Sequence, residues 1–368
     1  MAGHQQLTAL GLMSGTSLDG IDAAVIVSDG ERLIEAGAGA SFPYDPGFRD
    51  RLRGCLGLLA DAPGVPEVAH DLTLRHVEAV KRLLKDNGLE TSDIDLIGFH
   101  GHTTLHRPQD RLTVQIGDAA MLTSQTGIDV IADFRANDVA QGGEGAPFAP
   151  LFHLAVSGDL EKPLAVLNIG GVANVTWIGE GGTAEEPNIL AFDTGPGNAL
   201  IDDWVQKAIG RPMDEGGRLA KGGSVDEGCL ARLLDNVYFG RLPPKSLDRE
   251  DFVTAMDIVS GLSAEDGAAT LTAFSAHAVA RALEHFPEPP KRWLVCGGGR
   301  KNGTLMEMLT RSLGAMVEPI EAINCNGDFL EAQAFAFLAI RSFYGLPLSF
   351  PKTTGGPRPL SGGALFKA

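Results

Sequence analysis

The stretch GLMSGTSLDGID, residues 11–22, decides how this chain folds. An apolar run at residues 7–13 is broken by the polar turn SGTSLDG and resumes at residues 21–27. Gly30 then turns the chain toward a third run at residues 32–36. Short apolar runs separated by glycine-bearing turns predict two strands joined by a tight turn and followed by a third strand.

The same arrangement returns in the second half of the chain. Residues 164–169 and 172–178 predict two strands joined by the pair Gly170-Gly171, and residues 189–192 predict a third strand. Longer segments with an apolar stripe at helical spacing alternate with these runs, which indicates an α/β protein. We interpret the two sets of strands as an internal duplication, although they share little residue identity.

Two helix starts are marked by polar residues. Asn302 is the predicted N-cap of a helix over residues 305–313, which Gly314 ends. Asp328 followed by Glu331 resembles a capping box that opens the last long helix at residue 330.

Composition and charge exclude several classes of protein. The chain has 368 residues, and its 30 basic against 47 acidic side chains give a net charge of −17, which disfavours a general nucleic-acid binder. No apolar run approaches the ~18 residues of a membrane span, and the first residues do not resemble a secretion signal. The four cysteines lie far apart, as is typical of reduced thiols. We expect a cytoplasmic protein without nucleic-acid or membrane partners.

The turn within residues 11–22 has the chemistry of a phosphate site. Its backbone N–H groups and the hydroxyls of Ser14, Thr16 and Ser17 can surround an anion. Asp19 and Asp22 add oxygen ligands of the kind Mg²⁺ accepts. The turn lacks the lysine of a P-loop, so a polar hairpin without a ligand remains the alternative.

Two further glycine turns have related properties. LNIGGVANV, residues 167–175, places Asn168 and Asn174 around a glycine pair that permits close approach to the backbone. WLVCGGGRKNGTL, residues 293–305, runs from a buried strand through three glycines into a helix, an arrangement against which a nucleotide can lie. One nucleotide could touch all three turns if the duplicated halves face each other.

Asp193 in AFDTGPGN, residues 191–198, is the candidate general base. It ends a predicted strand just before a helix that starts after Pro196. A carboxylate at the end of a strand is well placed to accept a proton in a cleft, and the alternative is that it only caps the helix.

Other polar segments are ambiguous from sequence alone. The glycine- and proline-rich part of residues 131–150 predicts an ordered functional loop, whose charged members are Arg135, Asp138 and Glu144. The histidines of GFHGHTTLHRP, residues 98–108, could bind zinc, but hydrogen-bonding histidines in a polar cleft fit the sequence better because no cysteine or HExxH pattern accompanies them. Those histidines are His100, His102 and His106.

Taken together, the strings resemble the 1,6-anhydro-N-acetylmuramic acid kinase family, a branch of the acetate and sugar kinase/Hsp70/actin superfamily. The resemblance runs nearly end to end. Besides the strings already quoted, it includes TVQIGD (113–118), DFRANDVAQGGEGAP (133–147), PKSLDREDF (244–252) and LEAQAFAFLA (330–339). It implies an α/β protein of two duplicated actin-like ATPase (ribonuclease H-like) domains with a nucleotide cleft between them. We assign residues 1–128 and 352–368 to the first domain and residues 129–351 to the second.

The resemblance also implies roles for individual residues. Asp193 matches the catalytic base, and Asp19 is the expected Mg²⁺ residue, through water. The residues matching the ATP contacts are Gly15, Thr16, Ser17, Leu18, Asp19, Gly20, Ile21, Asp22, Gly170, Gly171, Asn174, Gly297, Gly298 and Gly299. His100, Arg135, Asp138 and Glu331 are expected to bind the sugar.

The implied reaction is an ATP-dependent opening and O6 phosphorylation of 1,6-anhydro-N-acetylmuramic acid, which gives N-acetylmuramic acid 6-phosphate and ADP in peptidoglycan recycling. The family is usually dimeric, so a homodimer is expected. This chain has His102, Asn137 and Glu144 where the family commonly has glutamine, a basic residue and glutamine, and PKSLDRE where it has PKSTGRE. Two alternatives therefore stay open: a kinase of a free amino-sugar hydroxyl, and a nucleotide-dependent sugar sensor without turnover.

Overall fold

A computed structural model describes residues 4–15, 17–183, 186–247, 249–252 and 254–368. The strands are β1 (Leu7–Ser14), β2 (Gly20–Ser28), β3 (Leu33–Pro43), β4 (Leu96–Arg107), β5 (Leu112–Ile116), β6 (Val130–Ala132), β7 (Leu164–Ile169), β8 (Val172–Ile178), β9 (Ile189–Pro196), β10 (Arg292–Cys296), β11 (Met316–Pro319) and β12 (Ala364–Phe366). The α-helices are α1 (Pro46–Arg53), α2 (Val65–Asp86), α3 (Ala119–Thr126), α4 (Ala136–Ala140), α5 (Pro150–Ser157), α6 (Ala199–Ile209), α7 (Arg218–Gly222), α8 (Glu227–Leu234), α9 (Ala255–Ile258), α10 (Ala264–Arg281), α11 (Gly303–Leu313), α12 (Leu330–Phe343) and α13 (Pro351–Thr354).

The chain divides into two compact units. Unit 1 contains Met1–Gly158 and Phe329–Ala368, and unit 2 contains Asp159–Asp328. These bounds differ from the expected 1–128 with 352–368 and 129–351. Residues 129–158 belong to unit 1 because β6 pairs with β4. Residues 329–351 belong there too because α12 packs on β1, β2 and β4.

The sheet of unit 1 is built around the hairpin that the first motif predicts. Its strand order is β12-β6-β4-β1-β2-β3, and β5 pairs with β4. β1 is antiparallel to β2 and β2 to β3, whereas β1 is parallel to β4 and β4 to β6. The hairpin therefore forms one side of the sheet, and the crossover strands form the other.

Unit 2 repeats this topology. Its order is β11-β10-β7-β8-β9, so β7, β8, β9, β10 and β11 correspond to β1, β2, β3, β4 and β6. The directions agree as well, because β7–β8 and β8–β9 are antiparallel whereas β7–β10 and β10–β11 are parallel. The predicted α/β fold and the predicted internal duplication are confirmed, because the two sheets share one strand order and one set of strand directions.

Two glycines let helix α12 approach the sheet of unit 1. A Cβ atom at Gly11 would lie 1.8 Å from the Ala332 carbonyl oxygen, and one at Gly98 would lie 2.2 Å from the Phe335 carbonyl oxygen. The alanine-rich helix is buried along most of its length, as close packing against bare backbone requires. The first motif thus fixes the core of unit 1 as well as its polar turn.

The two predicted helix starts have different outcomes. Asn302 is the N-cap of α11, and its side chain accepts a hydrogen bond from the Leu305 N–H. The capping box at Asp328 and Glu331 is wrong, because the N-cap of α12 is Phe329. Asp328 instead forms ion pairs with Arg300 at 3.0 Å and Lys301 at 2.7 Å.

Two features bear on the chain's environment. Within the described ranges, no helix has the length and apolar character needed to cross a membrane. Cys55, Cys229, Cys296 and Cys325 are free thiols.

Candidate active site

A row of polar side chains crosses three strands of unit 2. Asn168 of β7 pairs with Asn174 of β8, which in turn pairs with Asp193 of β9. Residues directly opposite each other in neighbouring strands project from the same face of the sheet. All three are half-buried, so a ligand on this face meets two amides and a carboxylate.

The glycine turns of unit 2 converge next to this row. A Cβ atom at Gly297 would lie 2.3 Å from Asn168 Oδ1, and one at Gly299 would lie 2.4 Å from Ile169 Cγ2. The Asn198 N–H donates to the Gly170 carbonyl at 2.8 Å. The segments 168–171, 197–198 and 297–299 therefore form one glycine-rich surface, on which Gly171 and Gly298 are exposed.

Asp193 is held by a segment 40 to 60 residues further along the chain. Its N–H donates to the Lys245 carbonyl at 3.0 Å, and the Leu247 N–H donates to its Oδ2 atom at 2.8 Å. The Tyr238 hydroxyl donates to its carbonyl at 2.5 Å. The following helix α6 takes Asn198, not Asp193, as its N-cap. This arrangement orients the carboxylate, as a general base requires.

The β1–β2 turn of unit 1 is the second candidate phosphate site. The Leu18 N–H donates to the Gly15 carbonyl at 3.1 Å, and Ser17 Oγ donates to Asp19 Oδ1 at 2.6 Å. The side chains of Leu18 and Ile21 are buried in the core, so only their backbone can meet a phosphate. Thr16 lies outside the described residues.

The other predicted residues of this turn occupy its β2 side. A Cβ atom at Gly20 would lie 2.5 Å from the Phe42 carbonyl oxygen, so this position accepts only glycine. Asp22 is half-buried, and Ser41 Oγ donates to its Oδ1 atom. Asp19 remains exposed, which leaves its second carboxylate oxygen open to a cation.

Behind the turn lies a buried hydrogen-bonded trio that the sequence did not reveal. Ser14 Oγ lies 2.7 Å from the Tyr44 hydroxyl and 2.9 Å from His102 Nδ1. Burial lowers the pKa of His102 to about 4 and raises the pKa of Tyr44, so both side chains are neutral at pH 7. His102 thus supports the start of the β1–β2 turn through Ser14.

Arg135, His100 and Glu331 form a charged cluster in unit 1. Arg135 Nε donates to His100 Nε2 at 3.1 Å, and its Nη1 donates to the Gly145 carbonyl at 2.6 Å. Loss of solvent lowers the pKa of Arg135 to about 10, although Glu331 opposes this shift. Loss of solvent around its carboxyl raises the pKa of Glu331, Asp22 and Asp19 act in the same direction, and Arg135 opposes them. These groups suit a polar neutral or anionic ligand.

Asp138 has a different position from the one expected. It is buried, and its carboxylate accepts hydrogen bonds from the Gly145 N–H at 2.8 Å and from the hydroxyls of Ser349 and Thr354. A Cβ atom at Gly143 would lie 2.2 Å from Asp138 Oδ2. We therefore revise Asp138 from a sugar contact to a residue that shapes the loop carrying Gly145, because its oxygens already have protein donors.

The three histidines that raised the question of zinc have separate partners. His100 Nδ1 lies 2.9 Å from the Gly101 carbonyl, and His106 Nδ1 lies 3.0 Å from Thr113 Oγ1. His102 contacts Ser14 as described above. Among the residues that the structure describes, no group of three or more His, Cys, Asp or Glu side chains could hold a metal ion.

Comparisons with known proteins identify the family of this chain. The chain is 53% identical to the anhydro-N-acetylmuramic acid kinase of Rhodospirillum rubrum, over 98% of this chain and 94% of the relative. It is 52% identical to the enzyme of the same name from Paramagnetospirillum magneticum, over 97% and 99%. A solved structure, the activator of 2-hydroxyisocaproyl-CoA dehydratase from Clostridium difficile with bound ADPNP, aligns with 92% of this chain and 97% of its own at 14% identity and a TM-score of 0.46. The family model for anhydro-N-acetylmuramic acid kinase matches residues 7–368, and the chain belongs to that family.

Proposed function

We propose that this chain is an ATP-dependent kinase that opens 1,6-anhydro-N-acetylmuramic acid with water and phosphorylates O6, giving N-acetylmuramic acid 6-phosphate and ADP in peptidoglycan recycling. Family membership supports a phosphotransferase that acts on this sugar. The observation that carries the proposal is Asp193, a half-buried carboxylate fixed by three hydrogen bonds beside the glycine-rich surface of unit 2.

The proposed reaction needs one base and one phosphoryl group. Asp193 takes a proton from a water molecule as the water oxygen bonds to C1 and the C1–O6 bond breaks. O6 leaves with that electron pair and bonds to the γ-phosphorus, while the bond from γ-phosphorus to the ADP oxygen breaks. An inverting glycosidase needs a second carboxylic acid to protonate its leaving oxygen, and here the phosphoryl group takes that part.

Each unit has its own proposed ligand groups. In unit 2, the backbone of Gly170, Gly171 and Gly297–Gly299 and the amide of Asn174 approach the nucleotide, because glycines carry no side chain that would keep a ligand away from their own backbone. In unit 1, the turn from Gly15 to Asp22 donates backbone N–H groups to phosphate. His100, Arg135 and Glu331 bind the sugar.

Asp19 is the residue proposed to hold Mg²⁺. One oxygen of the exposed Asp19 carboxylate accepts a hydrogen bond from Ser17. Because Mg²⁺ binds through few carboxylates and keeps several of its waters, this donor set fits the ion. When bound, the ion would neutralise charge that develops on the phosphates. The chain's own residues orient the sugar and remove the proton.

Isotope labelling tests the reaction against its alternatives. We expect ATP, 1,6-anhydro-N-acetylmuramic acid and H₂¹⁸O to give a 6-phosphate with ¹⁸O at C1, measured by ³¹P NMR and mass spectrometry. A kinase of a free hydroxyl would phosphorylate N-acetylmuramic acid without ¹⁸O at C1. A sensor would bind both ligands and form no ADP.

Two further properties belong to the proposal. We propose a cytoplasmic enzyme, as expected for a protein that uses ATP and has free thiols. We also propose a homodimer, because the family is usually dimeric. Light scattering that gives the mass of a single chain would contradict the dimer without affecting the proposed reaction.

A further inference from the structure

We infer that Lys245 is a positioning residue for the base, because its side chain anchors the segment whose backbone holds Asp193. This inference rests on the proposed function, in which Asp193 takes the proton from water. Lys245 lies in PKSLDREDF, a string for which the sequence suggested no role.

The backbone contacts connect Lys245 directly to the base. The Lys245 carbonyl accepts the Asp193 N–H at 3.0 Å, and the N–H of Leu247, two residues later, reaches the carboxylate at 2.8 Å. Residues 245–247 therefore form hydrogen bonds with both the main chain and the carboxylate of Asp193. A shift of this segment would move the reacting oxygen.

The Lys245 ammonium group connects this segment to residues 238–239 and to His285. Nζ lies 3.3 Å from the Tyr238 carbonyl, 3.4 Å from the Phe239 carbonyl and 3.4 Å from His285 Nε2. It also lies 4.7 Å from the centre of the Tyr238 ring and 5.7 Å from that of Phe192. Phe192 precedes Asp193, and the Tyr238 hydroxyl donates to the Asp193 carbonyl. These contacts connect the ammonium to Tyr238 and Phe192, which touch or adjoin Asp193, and to His285, whose ring packs on Phe192.

A buried lysine at this position is not explained by solubility or by a surface charge pattern. Lys245 is only 9% exposed. Lysine is rarely buried without a specific partner. Its acceptors are carbonyls and an imidazole, and the bonds are strongest when the amine is charged.

The surroundings of Lys245 make the charge of its ammonium group sensitive to alkaline pH. Among the described residues, the charged groups that act on Lys245 are Arg241, Arg281 and Glu284, and the titratable imidazole of His285 contacts it. Burial lowers the pKa of Lys245 to about 8, the two arginines act in the same direction, and Glu284 opposes them. Burial also lowers the pKa of His285, which keeps its imidazole neutral as an acceptor. The ammonium therefore loses its charge just above neutral pH.

Two substitutions distinguish the role of the Lys245 charge from that of its side-chain volume. Lys245→Met keeps a similar length without charge, and Lys245→Arg keeps a charge that persists to higher pH than that of lysine. We expect Lys245→Met to lower kcat about 10²-fold, since a misplacement of ~1 Å can cost that much, while the affinity for ATP stays near that of the wild type. We expect the wild-type kcat to fall above pH 8 and this fall to move to higher pH in Lys245→Arg.

Hydrogen exchange supplies a readout that needs no turnover. The Asp193 and Leu247 amides should exchange faster in Lys245→Met than in the wild type or Lys245→Arg, because the segment is released. The inference would be overturned if Lys245→Met had the same kcat and the same amide exchange rates as the wild type. It would also be overturned if kcat of Lys245→Arg fell at the same alkaline pH as that of the wild type. If Lys245→Met does not fold, the comparison of the wild type with Lys245→Arg decides. A wild-type protein that never consumes the anhydro sugar contradicts the proposed function, while the exchange data still test the anchor.

Discussion

Asn174 of β8 lies directly opposite Asp193 of β9 in the sheet of unit 2. Asn168 lies opposite Asn174 on the other side, so two amides and one carboxylate form a continuous row. Neutral amides next to the carboxylate can donate to it or to a phosphate without the repulsion that a second carboxylate would add. With such a row, the proposed base and an anionic ligand could share a face of the sheet.

The first prediction concerns the base itself. Asp193→Asn keeps the size of the side chain but cannot take a proton, so kcat should fall ~10²–10⁴-fold, the usual contribution of general base catalysis. ATP affinity, measured by calorimetry, should stay near that of the wild type. Asp203→Asn, at an exposed position on α6, is the matched control and should keep full turnover. Near-normal kcat in Asp193→Asn would remove Asp193 from the mechanism.

Much of this architecture was predictable because it is encoded locally. Glycine-bearing turns between short apolar runs define the hairpins 7–28 and 164–178, and repetition of that pattern revealed the duplication. Asp193 could be singled out because its carboxylate stands between the end of an apolar strand and a helix that starts after a proline, and both signals are local.

What the sequence did not reveal depends on contacts between distant residues. The carboxylate of Asp138 bonds to Ser349 and Thr354, which lie 211 and 216 positions away, so its burial has no local signal. The capping box failed because Asp328 pairs with Arg300, 28 residues earlier. Lys245 was missed for a related reason, since composition places lysine at the surface unless tertiary partners bury it.

The second prediction concerns the glycine turn at the end of β10. Gly297→Ala adds a Cβ atom 2.3 Å from Asn168 Oδ1 and 2.6 Å from the Ile169 carbonyl, at a φ of +73°. Both atoms belong to the glycine-rich surface of unit 2, which is proposed to bind the nucleotide. We therefore expect weaker ATP binding and a lower melting temperature. Gly314→Ala is the control: its φ is +61°, but nothing lies within 4 Å of the added Cβ. It should cost ~1–2 kcal/mol of stability and leave ATP affinity unchanged. Equal ATP affinity in both variants would contradict the predicted role of Gly297.

The third prediction concerns the core of unit 1. Gly11→Ala would place a Cβ atom 1.8 Å from the Ala332 carbonyl, so helix α12 must move away from β1. Overpacking of this kind costs ~1–3 kcal/mol or more, and a clash with backbone belongs at the upper end. Urea denaturation should show a lower midpoint than for Gly88→Ala, where φ is +66° and the added Cβ meets nothing within 4 Å. Equal midpoints would mean that α12 does not need a bare backbone beneath it.

The last prediction concerns acid stability and His102. Burial holds the pKa of His102 at about 4, against 6.5 for the free side chain, so the unfolded chain binds this proton first as the pH falls. The imidazole thus contributes stability that is present above pH 6.5 and is lost between pH 6.5 and about 4.

The substitution His102→Gln removes the group that binds this proton. Between pH 6 and 4.5, the slope of the unfolding free energy should decrease by up to ~1.4 kcal/mol per pH unit, the value for one proton. His277→Gln, at an exposed position on α10, is the matched control and should leave the slope as it is. An unchanged slope in His102→Gln would mean that the buried trio with Ser14 and Tyr44 opens before the chain unfolds, and hydrogen exchange at Ser14 would then detect that opening.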